Sequence, residues 1–203
     1  MKRDAIEVVE YRGHHIEVFQ DDNPCDPRMD RDNMGHMVCF HNGYNLGDKH
    51  NFSQPSDVEE HIKETHSLCL PLFLYDHSGI TMSTGNAGYP FNDRWDAGQV
   101  GYIYVTLEEV KKEYSCKVVT PTIRKKAYSV LEAEVKEYDD LITGNVYGYN
   151  VEETGDSCWG FFGDTKYMIE EAKGYVDWHI EEQQKEEDSC EGEEETQGKV
   201  VKG

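Results

Sequence analysis

Apolar and polar positions alternate from the start of the chain. Ile6 and Val8, then Ile16 and Val18, flank Arg12-Gly13-His14, a pattern that predicts a β-hairpin. A polar loop over 21–36, with two Pro and five Asp, separates this hairpin from a short strand at 37–41 and a turn-rich stretch after it. Ser56, as N-cap to Asp57, Glu59 and Glu60, predicts a first helix that ends near His66. Residues 69–75 read as a buried strand, which Pro71 places near an edge or a strand start. Residues 76–79 make a turn, and 80–84 return as the partner strand. A Gly-rich loop then leads into 100–105, the clearest strand in the chain.

The second half changes period from two to 3.6. Thr106 and Glu109 form a capping-box pattern that opens a short helix to about Tyr114. Thr120-Pro121 combines an N-cap with proline in the first turn. Behind it, Ile123, Ala127, Val130, Leu131, Val135, Tyr138, Leu141 and Ile142 form one apolar stripe, which Gly144 ends. Strands at 146–151 and 158–162 follow, joined by a Glu-Thr-Gly-Asp turn. Asp164 then caps a last helix with Met168, Ile169, Ala172, Val176 and Ile180 on its inner face. Short connections between strands predict an α+β fold: a mainly antiparallel sheet of six to eight strands with three or four helices packed on it. With no linker and no repeat, residues 1–180 read as one domain and 181–203 as an acidic, disordered tail.

Charge narrows the choice of partner. Forty-one acidic residues face twenty basic ones, a net −21 with His neutral. Such a surface repels nucleic acid and anionic membrane, and attracts cations and basic protein surfaces. The six cysteines form no close pair, the first residues contain no apolar signal-peptide run, and no stretch is apolar enough for a membrane span. These features point to free thiols and a cytoplasmic setting.

The phrases RGHHIEV, MVCFHNGYNLGD, LPLFLYDHSGITM, WDAGQVGYIYV and DDLITGNVYGYNVEE resemble a family of uncharacterised proteins encoded by tailed bacteriophages and prophages. The resemblance spans most of residues 6–175. It implies a phage origin and a host-cytoplasm setting, and it carries no activity onto any position.

Three constellations hold candidate chemistry. Asp76-His77-Ser78 stands at a strand end, and Asp96 precedes a neighbouring strand. An acid beside His77 could orient it as a general base for Ser78 or a water, although Asp-His-Ser-Gly is also ordinary turn chemistry. Cys25, His36, Cys39 and His41 lie within seventeen residues. Cys39 and His41 would share a strand face, as two metal ligands require, but their spacing fits no common zinc pattern and Cys39 also reads as a core residue. The loop from Asp30 fails as a calcium site, with Met34 and His41 where oxygen ligands are needed. No phosphate-binding glycine loop and no cofactor motif is present.

The third constellation is carboxylate on helices: Glu132, Glu134, Glu137, Asp139 and Asp140 on one, and Glu170, Glu171, Asp177, Glu181 and Glu182 on the other. Acids on ordered backbone can imitate the spacing of DNA phosphates. The leading expectation is therefore an accessory protein that binds a basic surface, that of a nucleic-acid-binding protein, and blocks or modulates it by DNA mimicry. A small hydrolase or a ligand- or metal-binding domain centred on Asp76, His77, Ser78 and Asp96 is the alternative, and a virion component is a third.

Overall fold

Two four-stranded antiparallel sheets, rather than one, take up the alternating segments. The computed structural model describes residues 4–85, 90–91 and 95–198. In chain order the elements are β1 (Glu7–Tyr11), β2 (His14–Gln20), α1 (Pro27–Asp30), β3 (His36–Cys39), α2 (Pro55–Glu64), β4 (Leu68–Asp76) and β5 (Ile80–Thr84). Then come β6 (Ala97–Val105), α3 (Leu107–Glu113), α4 (Pro121–Ile142), β7 (Val146–Val151), β8 (Ser157–Phe162) and α5 (Thr165–Gly198). The mixed α+β architecture with antiparallel sheets is as the sequence predicts.

Where one domain over 1–180 was expected, the chain forms two compact units, Asn23–Asn145 and the two terminal segments together. No linker marks the boundary, because β2 pairs with β7 and draws the chain ends into one sheet. In that terminal unit the order is β1-β2-β7-β8. Ile16 and Val18 of β2 and Tyr149 and Val151 of β7 face Met168, Ala172 and Val176 of α5. The alternation of β2 is thus the alternation of core and solvent. Gly148 lets Trp159 cross the sheet, since a Cβ there would meet the indole at 2.3 Å. The helix α5 continues to Gly198 in place of the expected tail, in a segment rich in strong helix formers and with Lys185 bonded to Glu182 one turn earlier.

The central unit has the strand order β3-β6-β4-β5. Leu68, Leu70, Leu72 and Leu74 of β4 and Ile103 of β6 point to one face and pack with Ala127, Leu131, Val135 and Tyr138 of α4. On the other face Val38 and Tyr104 pack with Val58 of α2. Both faces are therefore covered. Pro71 sits in an interior strand, not at an edge. The Gly85 N–H reaches its carbonyl at 3.2 Å just past the end of β5, so the side where proline lacks a donor has no strand acceptor to satisfy.

Two local details differ from expectation. Helix α2 starts at Pro55 with Gln54 as N-cap, because the Asp57 carboxylate accepts from the Ser53 and Gln54 N–H groups. The loop over 21–36 contains α1, where Asp26 caps Arg28. That turn aims Arg28 inward: its side chain is 2 % exposed and pairs with both Asp48 and Glu134.

Candidate functional site

A β-bulge shapes the main cleft of the central unit. Between Leu72 and Phe73 the β4–β6 register slips, leaving Val100 as the extra residue, and Val100 offers its carbonyl to the Phe40 N–H at 2.7 Å. Gly101 makes this close approach possible, since a Cβ there would lie 1.9 Å from the Val38 carbonyl oxygen. The resulting cleft, about 790 Å³, has Cys39, Phe40, Leu74 and Val100 among its lining, with Asp76, Asp96, His41, Gln99 and Trp95 as polar or exposed members.

Asp76 and Asp96 come to this cleft from different strands. The Asp76 N–H donates to the Asp96 carbonyl at 2.7 Å where β4 meets the start of β6. His77 follows in the turn, and its Nδ1 lies 2.7 Å from Asp96 Oδ2. Of the two acids in that cluster, His77 takes Asp96, nineteen residues on, and not its neighbour Asp76. Asp76 instead accepts from the Tyr44 hydroxyl at 3.2 Å, a bond that raises the phenol above its ordinary range. Ser78 holds a positive φ of 60° in the turn, and no hydrogen bond joins it to His77 among the described residues. A serine triad is therefore not assembled. The acid–imidazole half of it is.

His41 stacks on Tyr44 with ring centroids 5.0 Å apart. Its Nδ1 accepts the Gly43 and Tyr44 N–H groups, each at 3.1 Å, so in the neutral ring Nε2 carries the proton. Trp95 is 95 % exposed and lines the cleft together with Asp76 and Asp96. No Lys or Arg occurs among the described lining residues.

The proposed metal ligands disperse. Cys39 is buried, and burial pushes its thiol up to about 12. His36 bonds Glu109 at 2.7 Å, His41 is turned to backbone amides, and Cys25 is exposed at the start of α1. Since β3 ends at Cys39, His41 lies beyond the strand whose face it was expected to share. Among the described residues the group with metal-ligand spacing is a different one, His15, Glu152 and Glu153, all exposed. Cross-strand pairing of β2 with β7 assembles it, and no spacing in the sequence points to it.

The helix carboxylates are largely engaged within the protein. Glu134 pairs with the buried Arg28 and accepts the Met34 N–H. Glu137 pairs with Arg31, and Asp139 accepts from Thr81 and the Met82 N–H, both at 2.7 Å. Asp140 is 7 % exposed and bonds Lys136. On α5, Asp177 accepts from Arg12 and Tyr11, and Glu170 pairs with Lys173. Glu132 is half-buried, while Glu171 and Glu181 are exposed and Glu182 pairs with Lys185. Glu134, Glu137, Asp139 and Asp177 thus tie their helices to neighbouring segments.

Compared with protein-family models, curated proteins and solved structures, the chain matches none. Among the described residues, no helix is long and apolar enough to cross a membrane.

Proposed function

We propose that this is an acidic binding protein whose cleft at the β4–β5 turn seats a cationic side chain of a basic partner, such as the groove of a nucleic-acid-binding protein. The observation that carries the reading is the set Asp76, Asp96 and exposed Trp95 around one apolar-floored cleft, without a lining cation among the described residues. Two carboxylates supply the attraction, and an indole face adds roughly 0.5–2 kcal/mol for a cation held over it. In the phage setting that the sequence phrases imply, the partner is a protein of the infected cell, and occupying its basic surface inhibits or modulates it. The acid-rich helices contribute long-range attraction more than a phosphate-like array, because so many of their carboxylates are paired.

Calorimetry with an oligo-arginine peptide tests this. Affinity should fall steeply between low and high salt, and D76N/D96N should lose about tenfold. The equally charge-reduced E170Q/E171Q should lose less than about twofold. Equal losses in the two double variants would reject the cleft as the seat of binding.

The 2.7 Å contact between His77 and Asp96 favours one second reading, a small hydrolase with His77 Nε2 as base for a water. It requires turnover of an activated ester or phosphoester that H77A abolishes; turnover unchanged in H77A ends it.

A further inference from the structure

The strands that meet at the main cleft bring two like charges face to face. In the β4–β6 ladder Leu74 lies opposite Gly98 and Tyr75 opposite Ala97. Asp76 and Asp96 continue that register as the next pair, closed by the 2.7 Å bond from N–H to carbonyl. Directly opposed residues send their side chains to the same face, with Cβ atoms about 4.5–5.5 Å apart, and two carboxylates so placed repel each other. Tyr44 donates to Asp76, and His77 Nδ1 meets Asp96 Oδ2. Each contact steadies one carboxylate, and neither spans the pair.

Next to these acids the cleft has room for an aliphatic stem. A Cβ on Gly98 would meet nothing within 4 Å, so the place opposite Leu74 is open. Cys39, Phe40, Leu74 and Val100 give the cleft apolar walls. His41, another lining residue, stacks on Tyr44 with ring planes 21° apart. Because the Tyr44 hydroxyl bonds Asp76, this stack of flat rings stands beside the acid pair.

We infer that the cation seated here is the guanidinium of an arginine, bridging Asp76 and Asp96, and not a lysine ammonium. This assignment rests on the cation seat proposed above. A guanidinium spreads five N–H donors over one plane and can donate to both carboxylates at once. It is weakly hydrated and stacks on rings, whereas an ammonium is a compact, strongly hydrated charge. Bridging turns the repulsion between the acids into attraction for the ligand. The arginine methylenes lie along the apolar walls.

Hexa-arginine and hexa-lysine carry equal charge. Each is titrated into the full chain by calorimetry while the Trp95 indole signal is followed by NMR. Hexa-arginine should bind at least about fivefold more tightly. In D76N/D96N that preference should shrink below about twofold, and in E170Q/E171Q it should persist. A hexapeptide of asymmetrically dimethylated arginine keeps the charge but loses N–H donors, and should bind no better than hexa-lysine. Equal affinity for hexa-arginine and hexa-lysine, both weakened in D76N/D96N, would overturn the arginine assignment and leave the cation seat standing. Binding of both peptides that ignores D76N/D96N would remove the seat and the assignment together. An arginine preference that survives D76N/D96N would overturn the assignment as well.

Discussion

Asp76 and Asp96 are joined through their backbones, N–H to carbonyl at 2.7 Å, and both line one cleft. Neutralising them should therefore change binding and spare the fold. D76N and D96N should each alter unfolding free energy by less than about 1 kcal/mol, since their side-chain partners Tyr44 and His77 are exposed. Urea titration checks this, and a larger loss would mean that the carboxylates hold the turn.

Arg28 should behave oppositely. Its guanidinium is buried between Asp48 and Glu134 and also donates to the Gly35 carbonyl at 2.6 Å. R28M leaves two carboxylates without their cation and should cost about 3–5 kcal/mol in urea unfolding. A near-neutral effect would mean that water replaces the guanidinium.

Gly101 has no room for a side chain against the Val38 carbonyl. G101A should destabilise the central unit by about 1–3 kcal/mol or more as β3 and β6 separate. Hydrogen exchange should find the amides of 37–40 less protected than in the native chain.

The His15–Glu153 contact of the terminal unit gives a pH signature. Glu153 accepts the His15 N–H at 2.8 Å and Nδ1 at 2.5 Å. These bonds, the backbone one foremost, lower its carboxyl from 4.5 to about 2, and Glu153 in turn raises the His15 imidazole above 6.5. The depressed carboxyl contributes stability that is complete above its ordinary 4.5 and lost as pH falls through about 2. The raised imidazole contributes below its ordinary 6.5 and loses that contribution as pH rises through its folded value. Thermal melts of native chain and E153Q should differ most between about pH 4.5 and 6.5, and less on either side. A difference flat with pH would contradict the pairing.

The elements were legible wherever one periodicity held. The α4 stripe through Ala127, Leu131, Val135 and Tyr138 is buried as its 3.6-residue spacing predicts, and Thr120 caps it. The alternation of Ile16 and Val18 likewise fixes which face of β2 meets α5. Division into two units was not legible, because β2–β7 pairing is a contact between chain ends that no local pattern encodes. Asp76, His77 and Asp96 could be nominated as turn residues at strand ends, yet the partner of His77 depends on the β4–β6 register and its bulge. The helix acids misled for a related reason. Composition counts charges, whereas Arg28 and Thr81, distant in sequence, decide which of them remain on the surface.

The three tryptophans make the central claim directly measurable, for Trp95 lines the cleft while Trp159 and Trp178 belong to the terminal unit. Their indole N–H signals can be followed together as an arginine-rich peptide is added. Seating of a cation between Asp76 and Asp96 should move the Trp95 signal saturably and leave the other two nearly still. Movement confined to Trp159 or Trp178, with Trp95 unchanged, would place the partner elsewhere and contradict the account.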